Sequence, residues 1–425
     1  MKSVFCNSLD NSITRILILV FLNTSIVSPQ PFTFDKHIID TTVNGCAGIY
    51  SGDIDMDGDI DIAATSIKGN RVILWLNKIS MNGTWKKIDV DTSFILPIYI
   101  YMSDINDDSK TDIVAGSGEG VLAWWEQVKV DCSVWTKHII DTGYYSAHGV
   151  VASDINNDSH TDIIATSAVN HSIAWWENSG GSDPEWTKHI ICDDFHVCQS
   201  CYVVDIDNDS DMDVIGAASG DNEISIWFNI DGKAGQWRKK VISDSFEMAH
   251  WVSASDIDVD GNIDILGAAC AGCEIAWWKN PGNADKKWLK HSIGKNLDCA
   301  LTVEAADINN DNCIDVISTA WMSDELAVWE QVWDTTQIWI KHAIDTSING
   351  AWPLHTNDLD NDGDIDIIAS GDILNRKDSN PSIYWWENKL TNSTEKRSHS
   401  SFWVYPIVLV LILVLLHFIR KRIQE

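Results

Sequence analysis

The side chains with most chemistry to offer in this chain are carboxylates, 62 Asp and Glu against 30 Lys and Arg. They are not scattered. An acidic nine-residue window begins at Asp53, Asp104, Asp154, Asp205, Asp256, Asp307 and Asp358, at steps of 50 or 51 residues. Each window reads Asp-x-Asp/Asn-x-Asp-Gly/Ser/Asn-x-x-Asp. Carboxylates held about 4 Å apart repel by roughly 4 kcal/mol per pair at an effective dielectric near 20. A bound cation removes that cost. Asp, Asn and Gly are also ordinary turn formers, but seven copies in phase, all with Asp at positions 1, 5 and 9, argue for a shared ligand-holding role.

Oxygen donors at positions 1, 3 and 5 with a turn residue at 6 follow the first half of an EF-hand calcium loop, where position 7 adds a backbone carbonyl. Here an Asp at position 9 is expected to close the ring. The candidate ligands are Asp53, Asp55, Asp57, Asp59 and Asp61 in loop one, and Asp104, Asn106, Asp108, Lys110 and Asp112 in loop two. Loop three has Asp154, Asn156, Asp158, His160 and Asp162, and loop four has Asp205, Asp207, Asp209, Asp211 and Asp213. Asp256, Asp258, Asp260, Asn262 and Asp264 form loop five, and Asp307, Asn309, Asp311, Cys313 and Asp315 form loop six. Loop seven has Asp358, Asp360, Asp362, Asp364 and Asp366. In every loop the residue at position 7 acts through its carbonyl. An all-oxygen donor set selects calcium over zinc or copper. Asn at position 3 lowers the ligand charge of loops two, three and six. Position 6 is Gly58, Gly261 and Gly363 in loops one, five and seven but Ser109, Ser159 and Ser210 in loops two, three and four, and glycine tolerates a left-handed turn best. Loops one, five and seven are therefore expected to fill first.

The element that carries each loop is the repeat itself. After the loop come a β-branched run such as Ile163-Ile164-Ala165-Thr166, an aromatic run such as Ile173-Ala174-Trp175-Trp176-Glu177-Asn178, the stretch Trp186-Thr187-Lys188-His189-Ile190-Ile191, and another apolar run such as Cys201-Tyr202-Val203-Val204. Short β-rich runs bounded by turn residues read as strands. Four strands per period and seven periods predict an all-β, seven-bladed β-propeller with four-stranded blades. The Lys-His-Ile-Ile-Asp strand at 36–40 precedes the first loop, and none follows the seventh Trp385-Trp386-Glu387-Asn388. The N-terminal strand is therefore expected to complete the last blade and close the ring. The 22 Trp fall mostly at fixed repeat positions, and neighbouring residues on a strand face opposite sides. Each Trp-Trp pair is expected to pack against both adjacent blades, and the recurrent His138, His189, His291 and His342 to be structural.

These residues resemble the FG-GAP/VCBS repeat family, found in integrin α chains, secreted bacterial proteins and a fungal calcium-dependent lectin. The resemblance covers residues 32–388. It implies calcium in the turn between the first and second strands of each blade, and partners or glycans bound on the opposite face or between blades. The Phe-Gly and Gly-Ala-Pro signatures of integrins are missing, which argues against an integrin-type heterodimer. The links on the face opposite the loops contain Tyr144, Tyr145, His148, His196, His250, Trp251, Trp352 and His355. They are candidates for ligand binding, with plugging of the central channel as the competing role.

The ends imply export and anchoring. Residues 1–28 read as a signal peptide, 389–401 as a polar stalk, and 402–419 as an 18-residue apolar transmembrane helix. Arg420-Lys421-Arg422 then marks residues 420–425 as a cytoplasmic tail, with the propeller outside. Asn82 and Asn392 are glycosylation acceptors in that context. A formal net charge of -32 excludes nucleic acid as a partner. Of ten cysteines, Cys6 lies in the signal, and the remaining nine are expected to form disulfides with one left over. Cys198-x-x-Cys201 and Cys270-x-x-Cys273 also fit a four-thiolate zinc site, though an exported context favours disulfides. No nucleophile turn or metalloprotease motif is present, so the protein is read as no enzyme. The expected function is a calcium-binding cell-surface recognition or adhesion protein, with a calcium-dependent lectin as the alternative and a polysaccharide-active enzyme as a remote third.

Overall fold

Each acidic turn is followed by a run whose residues are buried without alternation, as in Asp61-Ile62-Ala63-Ala64-Thr65-Ser66. Burial on both faces means that the strand lies between two other sheets, which is the position of an inner strand in a stack of blades. The outer strand Trp135–Thr142 is instead nowhere fully buried: it exposes Thr136 and Lys137 and half-buries His138. The computed structural model describes residues 32–390 except 79–82, 334–336 and 372–381. Among these it contains 28 strands in seven antiparallel four-stranded sheets, as the period predicts.

Blade one is β2 (Cys46–Gly52), β3 (Asp61–Ser66), β4 (Arg71–Lys78) and β5 (Thr84–Asp91), in sequence order. Blades two to six repeat this order. Blade seven is β26 (Leu354–Asn357), β27 (Asp366–Ser370) and β28 (Ile383–Asn388), completed by β1 (Phe34–Asp40) from the start of the chain. Phe34 pairs with Asn388 and His37 with Trp385. The closing strand expected from the sequence is therefore in place, and every acidic loop lies between the first and second strands of its blade. Side-chain bonds reinforce the seam: Lys87 and Asp40 pair at 2.7 Å between blades one and seven, and Lys36 and Asp345 at 2.7 Å between blades seven and six.

The Trp pairs pack as their alternation requires. Trp125 joins Ile54, Ala63 and Leu74 of blade one, whereas Trp124 joins Val150, Ile163 and Ala174 of blade three. Both rings are essentially inaccessible, and truncating such a side chain costs about 3–5 kcal/mol. The recurrent histidines are structural: His138, His189 and His291 stack on Trp124, Trp175 and Trp277 with centroids 4.4–4.6 Å apart. His37 occupies the same position in blade seven, stacked on Trp385. Glu126, Glu177 and Glu387 hold His138, His189 and His37 by their Nε2 atoms at 2.8–3.1 Å.

One inter-blade device has no counterpart in the strand pattern. The amide side chains of Asn77, Gln127, Asn178, Asn229, Asn280, Gln331 and Asn388 each donate to the carbonyl of the second loop residue in the preceding blade, at 2.7–3.0 Å. The ring closes where Asn77 reaches Leu359. All seven bonds are buried, so each replaces water and leaves a desolvated carbonyl if removed.

The expected signal peptide (1–28), the transmembrane segment (402–419), the tail (420–425), nearly all of the stalk (389–401), and Asn82 and Asn392 lie outside the described residues. Among the described residues no helix is long and apolar enough to cross a membrane. The expected disulfides are present in part. One disulfide joins Cys270 and Cys299, while Cys46, Cys132, Cys192, Cys198, Cys201, Cys273 and Cys313 are free thiols. Cys270 is therefore not available as a zinc thiolate. Burial pushes the thiols of Cys46, Cys132 and Cys201 up to about 12, which keeps them protonated and inert.

Candidate metal centres

The seven acidic loops share one geometry. The carboxylate at position 1 accepts the backbone N–H of position 5 through Oδ1 at 2.9–3.1 Å. Its Oδ2 accepts the N–H of position 6 at 2.8–3.1 Å. Position 5 in turn accepts the N–H of position 7 at 2.8–3.0 Å. These bonds curl the chain around its own side-chain oxygens, and they require a left-handed residue at position 6. There φ is 89–93° at Gly58, Gly261 and Gly363, and 65–76° at Ser109, Ser159, Ser210 and Asn312. Only the non-glycine loops meet the Cβ clash of that region.

Position 9 has a structural part in every blade. Asp61, Asp112, Asp162, Asp213, Asp264, Asp315 and Asp366 are all buried. Oδ1 of each accepts the backbone N–H of that same blade's Asn or Gln lock at 2.7–2.8 Å. Oδ2 accepts the N–H of loop position 2 at 3.0–3.3 Å. The position is a structural hub that ties the loop to the third strand. Burial, opposed by these bonds, pushes six of the carboxyls up to about 7 and Asp315 to about 8.

Three carboxylates offer oxygens within 4.8 Å of one another in four loops: Asp53, Asp55 and Asp57; Asp205, Asp207 and Asp213; Asp256, Asp258 and Asp260; Asp358, Asp360 and Asp366. These are loops one, four, five and seven, the ones with Asp at position 3. Position 9 joins the cluster in loops four and seven, and position 5 does so in loops one and five. In the other three loops, Asn106, Asn156 and Asn309 spend their Oδ1 on the N–H of position 5 at 3.0–3.3 Å.

The donor set fits a metal ion on two observations. Asp55 Oδ1, Asp258 Oδ1 and Asp360 Oδ1 are buried carboxylate oxygens with no hydrogen-bond donor, and all three belong to position 3 of loops one, five and seven. Lysine ammoniums also sit among the carboxylates as stand-in cations. Lys78 pairs with Asp55 at 3.0 Å and with Asp57, and Lys279 pairs with Asp260 at 2.8 Å and with Asp258. Lys110, the position-7 residue of loop two, folds its ammonium back onto Asp108.

Asn262 likewise turns back onto Asp260 of its own loop at 2.8 Å, whereas four other position-7 side chains reach a neighbouring loop. Asp59 accepts from Asn361, His160 meets Asp107, Asp211 accepts from Asn157 and Asp364 accepts from Asn310, at 2.7–3.0 Å. In each case position 4 of one loop reaches position 7 of the next. Position 4 is left-handed in every loop, with φ between 55 and 60°. A composition reading of the loops missed this belt because position 4 is not a ligand position; its Asn and Asp content was the available signal.

The candidates on the other face separate. Tyr144 is core, edge-on to Trp176 and donating to backbone carbonyls. Tyr145 is exposed, and His196 is exposed and paired with Asp221 at 3.0 Å. Burial depresses His148 and His250 to about 4. Trp352 packs with Cys299 and Leu301 beside the disulfide. Trp251 and His355 instead line a cavity on the propeller axis.

Residues 104–165, 154–216 and 256–318 match the FG-GAP-like repeat, each match starting at position 1 of an acidic loop. No curated protein matches the chain by sequence. Among solved structures, an Agrocybe aegerita lectin described as recognising non-reducing terminal N-acetylglucosamine is 15% identical over 75% of this chain and 81% of its own, with a TM-score of 0.47. A crystal structure of BBS1N in complex with ARL6DN is 9% identical over 85% of this chain and 99% of its own, with a TM-score of 0.54, a likeness of fold alone. The chain carries FG-GAP-like repeats and closes seven blades, each with its acidic loop, into a β-propeller.

Proposed function

We propose that this protein is a calcium-stabilised recognition module displayed outside the cell. The observation that carries the reading is the set of orphaned oxygens of Asp55, Asp258 and Asp360, each facing further carboxylates in a loop of seven-fold recurring geometry. A hard divalent ion supplies the missing partner, and a donor set made only of oxygen favours calcium. Positions 1, 3 and 5 would hold it, with position 9 contributing in loops four and seven. The ion would supply charge neutralisation and rigidity at the turn rather than chemistry. The protein's role is then to present a stiff surface to a protein or glycan partner, anchored through segment 402–419, with no catalytic activity.

The test is thermal unfolding of the full-length chain in mild detergent with calcium and with chelator. A ligand at a hundred times its Kd stabilises by about 2.7 kcal/mol per site, so three filled loops should raise the midpoint clearly. A midpoint indifferent to calcium defeats the metal reading. Glycan-array binding that chelator abolishes would move the assignment from adhesion to lectin.

A further inference from the structure

Three residues before each acidic loop, one side chain per blade points into the central channel: Tyr50, Tyr101, Val151, Tyr202, Ser253, Glu304 and His355. They surround a cavity of about 260 Å³, floored in part by Tyr99 and Trp251, whose rings lie 5.4 Å apart. That volume is just below the range of pockets for drug-sized ligands. Tyr50 is held between Tyr101 and His355, with ring centroids at 4.4 and 4.8 Å. The wall is thus mostly aromatic, and it contains a single carboxylate. Glu304 is fixed by His355 Nδ1 at 3.0 Å and by the Thr356 hydroxyl at 2.9 Å. These two contacts leave about half of its lone pairs open.

We propose that this cavity binds a small organic cation, a quaternary or methylated ammonium. Tyr and Trp faces attract such a cation more strongly once it is desolvated, and Glu304 supplies the counter-charge. A bare divalent metal needs several oxygen ligands and finds one carboxylate here, whereas an anion would meet Glu304 and a chain of net charge -32. The seven channel-facing residues lie only three positions before the ring of acidic loops, whose negative field favours cations nearby. The inner strands build the site, and it stands independently of whether the loops hold calcium.

Isothermal titration of the full-length chain with choline, and with its uncharged isostere 3,3-dimethylbutan-1-ol, tests the idea. Saturable choline binding is expected, with the isostere at least about tenfold weaker, a ratio worth about 1.4 kcal/mol. Glu304→Gln should remove that preference at an unchanged melting midpoint. Should that variant not fold, Tyr202→Ala, at a 37% exposed position, should weaken choline binding several-fold. Equal binding of the isostere, no binding of choline at millimolar concentration, or undiminished binding by the folded variant overturns the proposal.

Discussion

Replacing Lys279 with Met should tighten calcium binding while weakening the calcium-free fold. The Lys279 ammonium lies between Asp258 and Asp260 at the heart of loop five, so an entering cation must first displace it. Its side chain is 35% exposed, and exposed ion pairs are worth about 0.2–1 kcal/mol each. Two such pairs put the displacement cost at roughly 0.4–2 kcal/mol, or about 2- to 30-fold in affinity. Met keeps the stem that packs along the strand and removes only the charge. Calorimetric titration of wild type and Lys279→Met should show one class of sites tightened by that factor, and the gain should vanish in Lys279→Met/Asp256→Ala. In chelator the order reverses, because the variant leaves Asp258 and Asp260 without their ammonium and should melt lower than wild type. A lysine that merely packs would lower stability in both conditions. Unchanged calcium affinity, or a gain that survives Asp256→Ala, refutes the reasoning.

Three further outcomes follow from the same geometry. The position-9 carboxyls, pushed up to about 7 chiefly by burial, keep a proton in the folded state that they lose on unfolding, since their unfolded value is near 3.8. Stability from this source is lost as pH rises toward about 7, so the melting midpoint in chelator should be higher at pH 6.5 than at pH 8. His148 and His250, depressed to about 4 by burial, act in the opposite sense only below their ordinary value near 6.5. The calcium-induced rise should grow from pH 6.5 to pH 8, because a cation needs these carboxylates ionised, and a chelated midpoint flat in pH would count against the buried acids. Asn77→Ala should cost about 1–3 kcal/mol in urea unfolding by orphaning the Leu359 carbonyl at the seam; a loss within error would show that water replaces the amide. Asp264→Asn should cost a similar amount, because its amide cannot accept from both the Ile257 and Asn280 N–H groups, as circular dichroism melts in chelator would reveal.

Much of the architecture was legible in the chain because its signals are local and repeat. A loop is nine consecutive residues, a strand about seven, and a 51-residue period counts the blades without any contact being known. Even the closing strand could be placed, since a ring of four-stranded blades must find its missing strand at the other end. The distinction among loops was legible too: Asp rather than Asn at position 3 and Gly at position 6 singled out loops one, five and seven, where the orphaned oxygens of Asp55, Asp258 and Asp360 lie.

What the sequence left open is everything decided across the gap between blades. Asn77 meets Leu359 across 282 positions, and no local pattern states which carbonyl an amide will reach. The double engagement of Asp61 and its six equivalents, the Lys279 ammonium inside loop five, the Cys270–Cys299 bridge and the ring of Tyr50, Tyr101, Glu304 and His355 all depend on how far each blade is turned against the next. Sequence by itself determined the repeating unit, because strand and turn are short-range consequences of side-chain shape and backbone dihedral. Only the tertiary structure decided the partners, because closing the ring sets the distances between groups far apart along the chain.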